Sequence, residues 1–369
     1  MSIESTRRLV EALDLNIREE DVGKPHFRDP DVRPFPLNKD GFRLIQEVDS
    51  RRNIAFVDGG NLEIMGAPNF SVQLNRIYAG VWNGREKVVD FVFPQIQFFS
   101  AIFSSFKNDE IYYETIIVPE KTEFEKYLPE ARDLSFNSND RSIMNGNHRA
   151  DIGRVASIAR RFAEWKFASQ VLQDLREGDV LVMDGTLQTS YPKEEKYLNG
   201  LASAAKRQGV VLSGLSKSSF LFTTTGLSLM GAVNKLAEEN KVTKNWYYPI
   251  AESTREDHNV MILAVKLNNS KISERVYRYE IQREAFKSLS ELHLNQILTQ
   301  LTKNSSDATF PGYPYGLIDA DRFARVSYGE LDSYRGIIVS QISALGMSGK
   351  FMRHIRATDA HSVLNALVV

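Results

Sequence analysis

The stretch Val180-Leu181-Val182-Met183-Asp184-Gly185-Thr186 decides how the rest of this chain is read. It is an apolar run, rich in β-branched valine, that stops on a carboxylate followed by glycine. Such a run reads as a central strand, buried on both faces, that delivers an acid to the open edge of a sheet. The same pattern stands earlier in the chain, in Ile54-Ala55-Phe56-Val57-Asp58-Gly59-Gly60. The glycine after each acid permits either a sharp backbone turn or the close approach of another group. Two acids presented in the same way, far apart in the chain, point to a shared divalent-metal site. The plain alternative is that each Asp-Gly step is only a turn.

Working outward, Asp58 is read as ending a first strand. Residues 69–82 and 87–93 alternate apolar and polar side chains, with Asn83-Gly84 between them as a hairpin turn. The domain therefore opens with three antiparallel strands. Residues 152–176 carry helical periodicity through Val155, Ile158, Phe162, Trp165 and Leu172. The Asp184 strand follows at once, then a helix over 194–208 and a strand Val210-Val211-Leu212-Ser213-Gly214. Three antiparallel strands followed by alternating helices and parallel strands is the ribonuclease H-like order. The expected fold class is α/β: a ribonuclease H-like mixed sheet flanked by helices, with insertions.

Residues 1–50 read as a helix (4–16) and a proline-rich arm (Pro25, Pro30, Pro34, Pro36), and residues 51–369 as one domain. Residues 96–150, aromatic and charged and finishing in Asn-rich loops, read as an insertion. The last third is expected to hold helices near 226–240, 284–303, 315–326 and 329–345, and strands at 260–267 and 276–281.

The 369 residues carry a formal net charge of −1, so any affinity for nucleic acid must come from local positive charge, from metal ions or from a partner. There is no cysteine, which excludes disulfides, zinc–thiolate and iron–sulfur sites and a cysteine nucleophile. The first twenty residues lack a signal-peptide apolar stretch, and nowhere do 18 apolar residues run together. The expectation is a soluble, cytoplasmic protein without membrane contact.

A ribonuclease H-like site needs further acids from helices. Glu164, in Arg160-Arg161-Phe162-Ala163-Glu164-Trp165, lies on the helix before the Asp184 strand and is the preferred third acid. Its structural alternative is a surface pair with arginine. Glu114 in Tyr112-Tyr113-Glu114 is the rival, ranked second because it falls in the insertion. Asp321 shares a helix face with Leu317, Ile318 and Ala324, where burial is costly without a metal or a partner such as Arg325. Asp319 points elsewhere and has Arg322 as its expected partner. Tyr313, in a Gly-Tyr-Pro-Tyr turn, either stacks on a base, orients a phosphate or is a core aromatic. Lys217 after the fifth strand is a candidate for contacting a phosphate, against an ordinary surface lysine. His354 and His361 are weak candidates; Lys350, Arg353 and Arg356 form a small basic cluster. Paired hard oxygen ligands of this kind hold two magnesium or manganese ions about 3.5–4 Å apart.

With these residues in place, the chain resembles the NurA family of prokaryotic nucleases over most of residues 50–365. The resemblance rests on Val57-Asp58-Gly59-Gly60, the Glu164 helix running into Val182-Met183-Asp184-Gly185-Thr186-Leu187, Gly214-Leu215-Ser216-Lys217, and Gly312-Tyr313-Pro314 through Asp321-Arg322. It implies manganese-dependent DNA cleavage, as a 5′-to-3′ exonuclease on DNA and an endonuclease on single strands. It also implies a homodimer that docks on a hexameric HerA translocase for end resection in double-strand-break repair. By carry-over, Asp58, Glu164 and Asp184 are metal ligands and Asp321 a fourth, at a position where some members have histidine. Tyr313 and Lys217 join them as catalytic candidates, and Lys217, Arg322, Arg325 and Tyr313 as DNA contacts.

Two other readings compete. A haloacid-dehalogenase-like phosphatase would share Met183-Asp184-Gly185-Thr186 but needs an aspartate where Val182 stands, and fails there. A degraded nuclease fold serving as scaffold for a translocase is opposed by the presence of all four carboxylates.

Overall fold

The computed structural model describes residues 2–16, 21–269, 275–308 and 310–358. The long strands are β1 (Ile54–Ala67), β2 (Phe70–Asn83), β3 (Ile96–Lys107), β4 (Glu110–Pro119), β5 (Val180–Asp184), β6 (Val211–Ser216), β7 (Trp246–Arg255), β8 (His258–Lys266) and β9 (Tyr277–Gln282). They lie in one mixed sheet in the order β7-β8-β9-β6-β5-β1-β2-β3-β4. At its centre β5 runs parallel to both β1 and β6, while β1, β2, β3 and β4 form an antiparallel meander. This is a mixed α/β architecture of ribonuclease H-like order, extended at both edges. The register pairs Met183 with Val57, so the next residue of each strand, Asp184 and Asp58, come side by side.

The principal helices are α1 (Ile3–Asn16), α2 (Ile158–Val171), α3 (Glu194–Gln208), α4 (Leu229–Glu239), α5 (Glu291–Asn304), α6 (Tyr315–Ala324), α7 (Tyr328–Ala344) and α8 (Ser348–Thr358). Side-chain alternation along the central strands explains how they are placed. Ala55, Val57, Leu181 and Met183 face a core shared with Phe162, Trp165, Leu201 and Val233 of α2, α3 and α4. Ile54, Phe56, Val180 and Val182 face the opposite core, with Ile297, Leu301, Leu317 and Ala320 of α5 and α6. Helices cover both faces, which is why the strand segments are continuously apolar instead of alternating. Each fully buried aliphatic or aromatic side chain here contributes about 1.5–3 kcal/mol.

Several sequence expectations are corrected. Asp58 does not end its strand: β1 continues to Ala67, and the first hairpin turns at Pro68-Asn69. The third antiparallel strand is not 87–93. Only Glu86–Lys87 pairs there, and the Asn83-Gly84 hairpin is correspondingly short. Val89 and Val92 alternate with polar residues yet are exposed, because no strand lies beside them to pair with. The true third strand is β3, and with β4 it makes the first part of the 96–150 stretch a continuation of the main sheet instead of an insertion. Strand β7 is unexpected from the sequence because Pro249 interrupts it; the ladder to β8 shifts register there.

Among the described residues no helix is long and apolar enough to cross a membrane. Helix α1 has no buried residue. Lys350 and Arg353 of α8 are exposed, as is His354. The side chain of Arg356 and the whole of His361 lie outside the described residues.

Candidate active site

The two glycine readings are realised once each. Gly185 has φ of +99°, and the chain turns sharply there as β5 leaves the sheet. Gly59 lies inside β1, where a Cβ would run into Oε1 of Glu164. The second glycine is therefore a gap in the sheet surface through which an acid on α2 approaches β1. Gly60, next to it, makes the same allowance for the Ala324 carbonyl at the end of α6.

Three of the predicted acids converge around one side chain. Lys217, at the end of β6, places Nζ 2.8 Å from Asp321 Oδ1, 2.9 Å from Asp184 Oδ2 and 3.7 Å from Asp58 Oδ2. Asp58 is 7% exposed, and its Oδ1 accepts the Gly59 N–H at 2.7 Å. Asp321 is half-buried and also takes Arg325 Nη2 at 2.7 Å, so the i,i+4 pair anticipated from the sequence forms as well. Glu164 is 3% exposed and is held by Arg160, whose Nη1 also donates to the Gly59 carbonyl at 2.9 Å. Arg161 Nη1 is 3.7 Å from the other Glu164 oxygen.

Tyr313 is buried, 2% exposed, against Tyr277 and Phe310, and its hydroxyl donates to Asp184 Oδ1 at 3.2 Å. A ring so enclosed is not free to stack on a base, so that reading is corrected; what remains is a hydroxyl that orients Asp184. Glu114 lies on β4, paired with Lys107 at the surface, and takes no part in the cluster. Asp319 does not pair with Arg322. It is buried, and its partner is Lys87 Nζ at 2.7 Å, itself beside Tyr78 and Phe323. Arg322 is exposed on α6, and Arg325 is exposed apart from its bond to Asp321.

The electrostatics of the cluster are unbalanced. Burial, and then the neighbouring carboxylates of Asp184 and Glu164, push the Asp58 carboxyl up to about 8, with Lys217 only partly opposing them. Burial likewise pushes Glu164 up, against Arg160 and Arg161. Burial disfavours the Lys217 ammonium, but Asp184, Asp321 and Asp58 outweigh it and hold the group charged well above the ordinary lysine range. Asp321 stays below the usual carboxylate range because Lys217 and Arg325 overcome its desolvation.

Among the described residues, no three His, Cys, Asp or Glu side chains are set to hold an ion as they lie. Lys217 stands between the three aspartates instead, as one positive charge shared by three acids. The donors are hard carboxylate oxygens, and Asp58 remains short of positive charge even with Lys217 in contact. That donor set and that deficit fit magnesium or manganese.

Sequence reasoning did not pick out the residues that hold the Asp184 loop. Glu194, fully buried, accepts from Arg161 Nε at 3.0 Å, Trp165 Nε1 at 2.8 Å and the Ser190 N–H at 2.7 Å. Arg161 also donates to the carbonyls of Thr186 and Gln188. Glu280, fully buried on β9, accepts the Leu187 N–H at 2.8 Å, His258 Nε2 at 3.0 Å and Arg278 Nη2 at 2.5 Å. The one available signal was an acid inside an otherwise apolar strand pattern, Tyr279-Glu280-Ile281.

A family model, the NurA domain, matches residues 52–326. The chain belongs to the NurA family. The match runs from β1 past α6 and so includes Asp58, Glu164, Asp184, Lys217 and Asp321. NurA proteins are a nuclease family involved in processing DNA ends. No curated protein matches this NurA chain in sequence. Two solved structures of Argonaute from Aquifex aeolicus are similar to it at 13% and 10% identity, with TM-scores of 0.27 and 0.29. They align 75% and 74% of this chain, which spans only 28% of the Argonaute chain in each case.

Proposed function

We propose that this NurA-family chain is a metal-dependent DNA phosphodiesterase whose ligands are Asp58, Asp184, Asp321 and Glu164. The carrying observation is the convergence of three aspartates on Lys217 Nζ, with Asp58 still short of positive charge. When bound, two manganese or magnesium ions supply an activated water and stabilise the leaving oxygen of the phosphodiester. Asp58 and Asp184 are fixed by adjacent parallel strands, so their spacing does not depend on a loop. Tyr313 holds one oxygen of Asp184 and leaves the other to face Lys217. Arg160 fixes Glu164 against the Gly59 gap. Lys217 offsets part of the cluster's negative charge and is placed to meet charge that develops on the phosphate.

The finer assignment is a 5′-to-3′ exonuclease and single-strand endonuclease, acting as a homodimer with a HerA-type translocase in end resection. The support for it is the resemblance to the family's activity and partnership. The test is cleavage of single-stranded DNA with manganese by Asp58→Asn and Asp184→Asn. Both are expected to fold and to lose at least about 100-fold in rate, beyond the 10–100-fold typical of mutating a residue that merely supports a ligand. Undiminished cleavage by either variant would remove the proposed site.

A further inference from the structure

Two adjoining cavities lead away from the carboxylates. The nearer, about 560 Å³, is lined by Arg160, Arg161, Asp184, Lys217, Phe220 and Arg278, among others. The farther, about 490 Å³, shares Gln188, Leu221 and Arg278 with it, and its other wall is Phe27, Arg28, Arg255 and His258. Together they make one groove that begins at Asp184 and Lys217 and ends under the proline-rich arm. The arm is tied down on both sides of this wall: Pro25–His26 pairs with Phe222–Thr223, and Val32–Pro34 pairs with β7.

The groove is lined by cationic side chains along its whole length. Arg28, Arg160, Arg161, Lys217, Arg255 and Arg278 line it. Arg160, Arg161, Lys217, Arg255 and Arg278 each hold a carboxylate as well (Glu164, Glu194, Asp184, Asp257 and Glu280 in turn), whereas Arg28 has no ion pair among the described residues. Asp29 is neutralised by Arg255 at 3.0 Å. Two polar atoms of wall residues, Arg160 Nε and Ser216 Oγ, have no hydrogen-bond partner among the described residues. Phe220, on the wall nearest the carboxylates, is 84% exposed and shares its cavity with Arg160, Arg161, Lys217 and Arg278. A positively charged track with an exposed aromatic platform is how proteins hold a single nucleic-acid strand without reading its sequence.

We propose that this groove carries a single DNA strand away from the site of cleavage. Phe220 stacks on a base next to the carboxylates, Arg278, Arg255 and Arg28 meet successive phosphates, and the proline-rich arm is the outer wall. The proposal rests on the nuclease reading above and adds the path of the strand. Buried Glu280 fixes Arg278 from behind, so that guanidinium is held in place before DNA arrives.

Fluorescence anisotropy with labelled oligothymidylates in EDTA tests binding apart from cleavage. The wild-type protein is expected to bind a dodecamer more tightly than a tetramer. Arg28 is exposed and has no ion pair among the described residues, so Arg28→Glu should leave the fold intact. That variant should lose most of the gain with length, about tenfold, and its slope of log affinity against log salt should fall by about 0.7. Arg28→Lys should restore both. Phe220→Ala should weaken tetramer and dodecamer alike, by about tenfold. An unchanged length gain and salt slope in Arg28→Glu, with manganese-dependent cleavage by the wild type intact, overturns the groove and spares the nuclease reading. A wild-type protein that neither binds nor cuts single-stranded DNA removes both.

Discussion

Two sets of buried carboxylates flank the Asp184 loop, and they are built in opposite ways. Behind the loop, Glu280 is enclosed by Arg278, His258 and the Leu187 N–H; these overcome its desolvation and hold it down at about 2. In front of the loop, Asp58 sits among like charges and is pushed up to about 8. The first set is satisfied by the protein itself and reads as structure. The second is left wanting positive charge, which is the condition of a site that expects a ligand. Burial alone does not separate them, since Glu280 and Asp58 are both buried. What separates them is whether the protein supplies the counter-charge.

The largest test of this contrast is substitution on each side. Asp58→Asn should abolish cleavage by about 100-fold or more without lowering thermal stability. Because the folded Asp58 carboxyl is raised from 3.8 to about 8, its opposition to folding builds as pH rises from 3.8 and is complete above 8, and the amide removes it. Glu280→Gln should do the reverse, costing about 3 kcal/mol in urea unfolding by stripping the charge that Arg278 faces. Glu280 is lowered from 4.5 to about 2, so its contribution is complete above pH 4.5 and fades as pH falls towards 2. The stability gap between wild type and Glu280→Gln should therefore close over that window; a gap that stays constant would remove the charge explanation.

Manganese sharpens the comparison further. At about one hundred times its dissociation constant, it should stabilise the wild type by about 2.7 kcal/mol in a thermal-shift series. Asp184→Asn should lose that gain, and Glu280→Gln should keep it. Equal stabilisation of all three would place the ions elsewhere. The smallest expected effect is Glu114→Ala, which removes only a surface pair with Lys107. It should alter stability by no more than about 0.5 kcal/mol and leave cleavage unchanged.

The central strands were legible from sequence because both faces are covered, and double burial writes itself as an unbroken apolar run ending in an acid. Glu164 was legible as a helix acid next to that strand, although nothing in the sequence shows that Gly59 is the opening through which it approaches. The outer strands were harder. Strand β3 mixes serine and aromatic residues because its faces meet different surroundings, and β7 hides behind Pro249. Residues 87–93 have the right alternation but no neighbour to pair with, and pairing is a property of the fold rather than of the segment. Tyr313 was ambiguous because a ring can be core while its hydroxyl serves the site, and it does both. Glu280 and Glu194 escaped notice because the partners that make a buried acid tolerable come from distant parts of the chain.

The seat of α6 on the sheet carries a consequence for the order of assembly. Gly316 lies so tightly on the Phe56 ring that a methyl group there would collide with it. Asp321 is therefore delivered by a helix that docks directly onto β1, near the other end of the chain. During synthesis the N-terminal strands emerge first. At that stage Asp58 has neither Lys217 nor Asp321, and the cluster is incomplete until α6 has left the ribosome and closed over Phe56. The proposed centre is thus complete only in a chain whose folding is nearly finished.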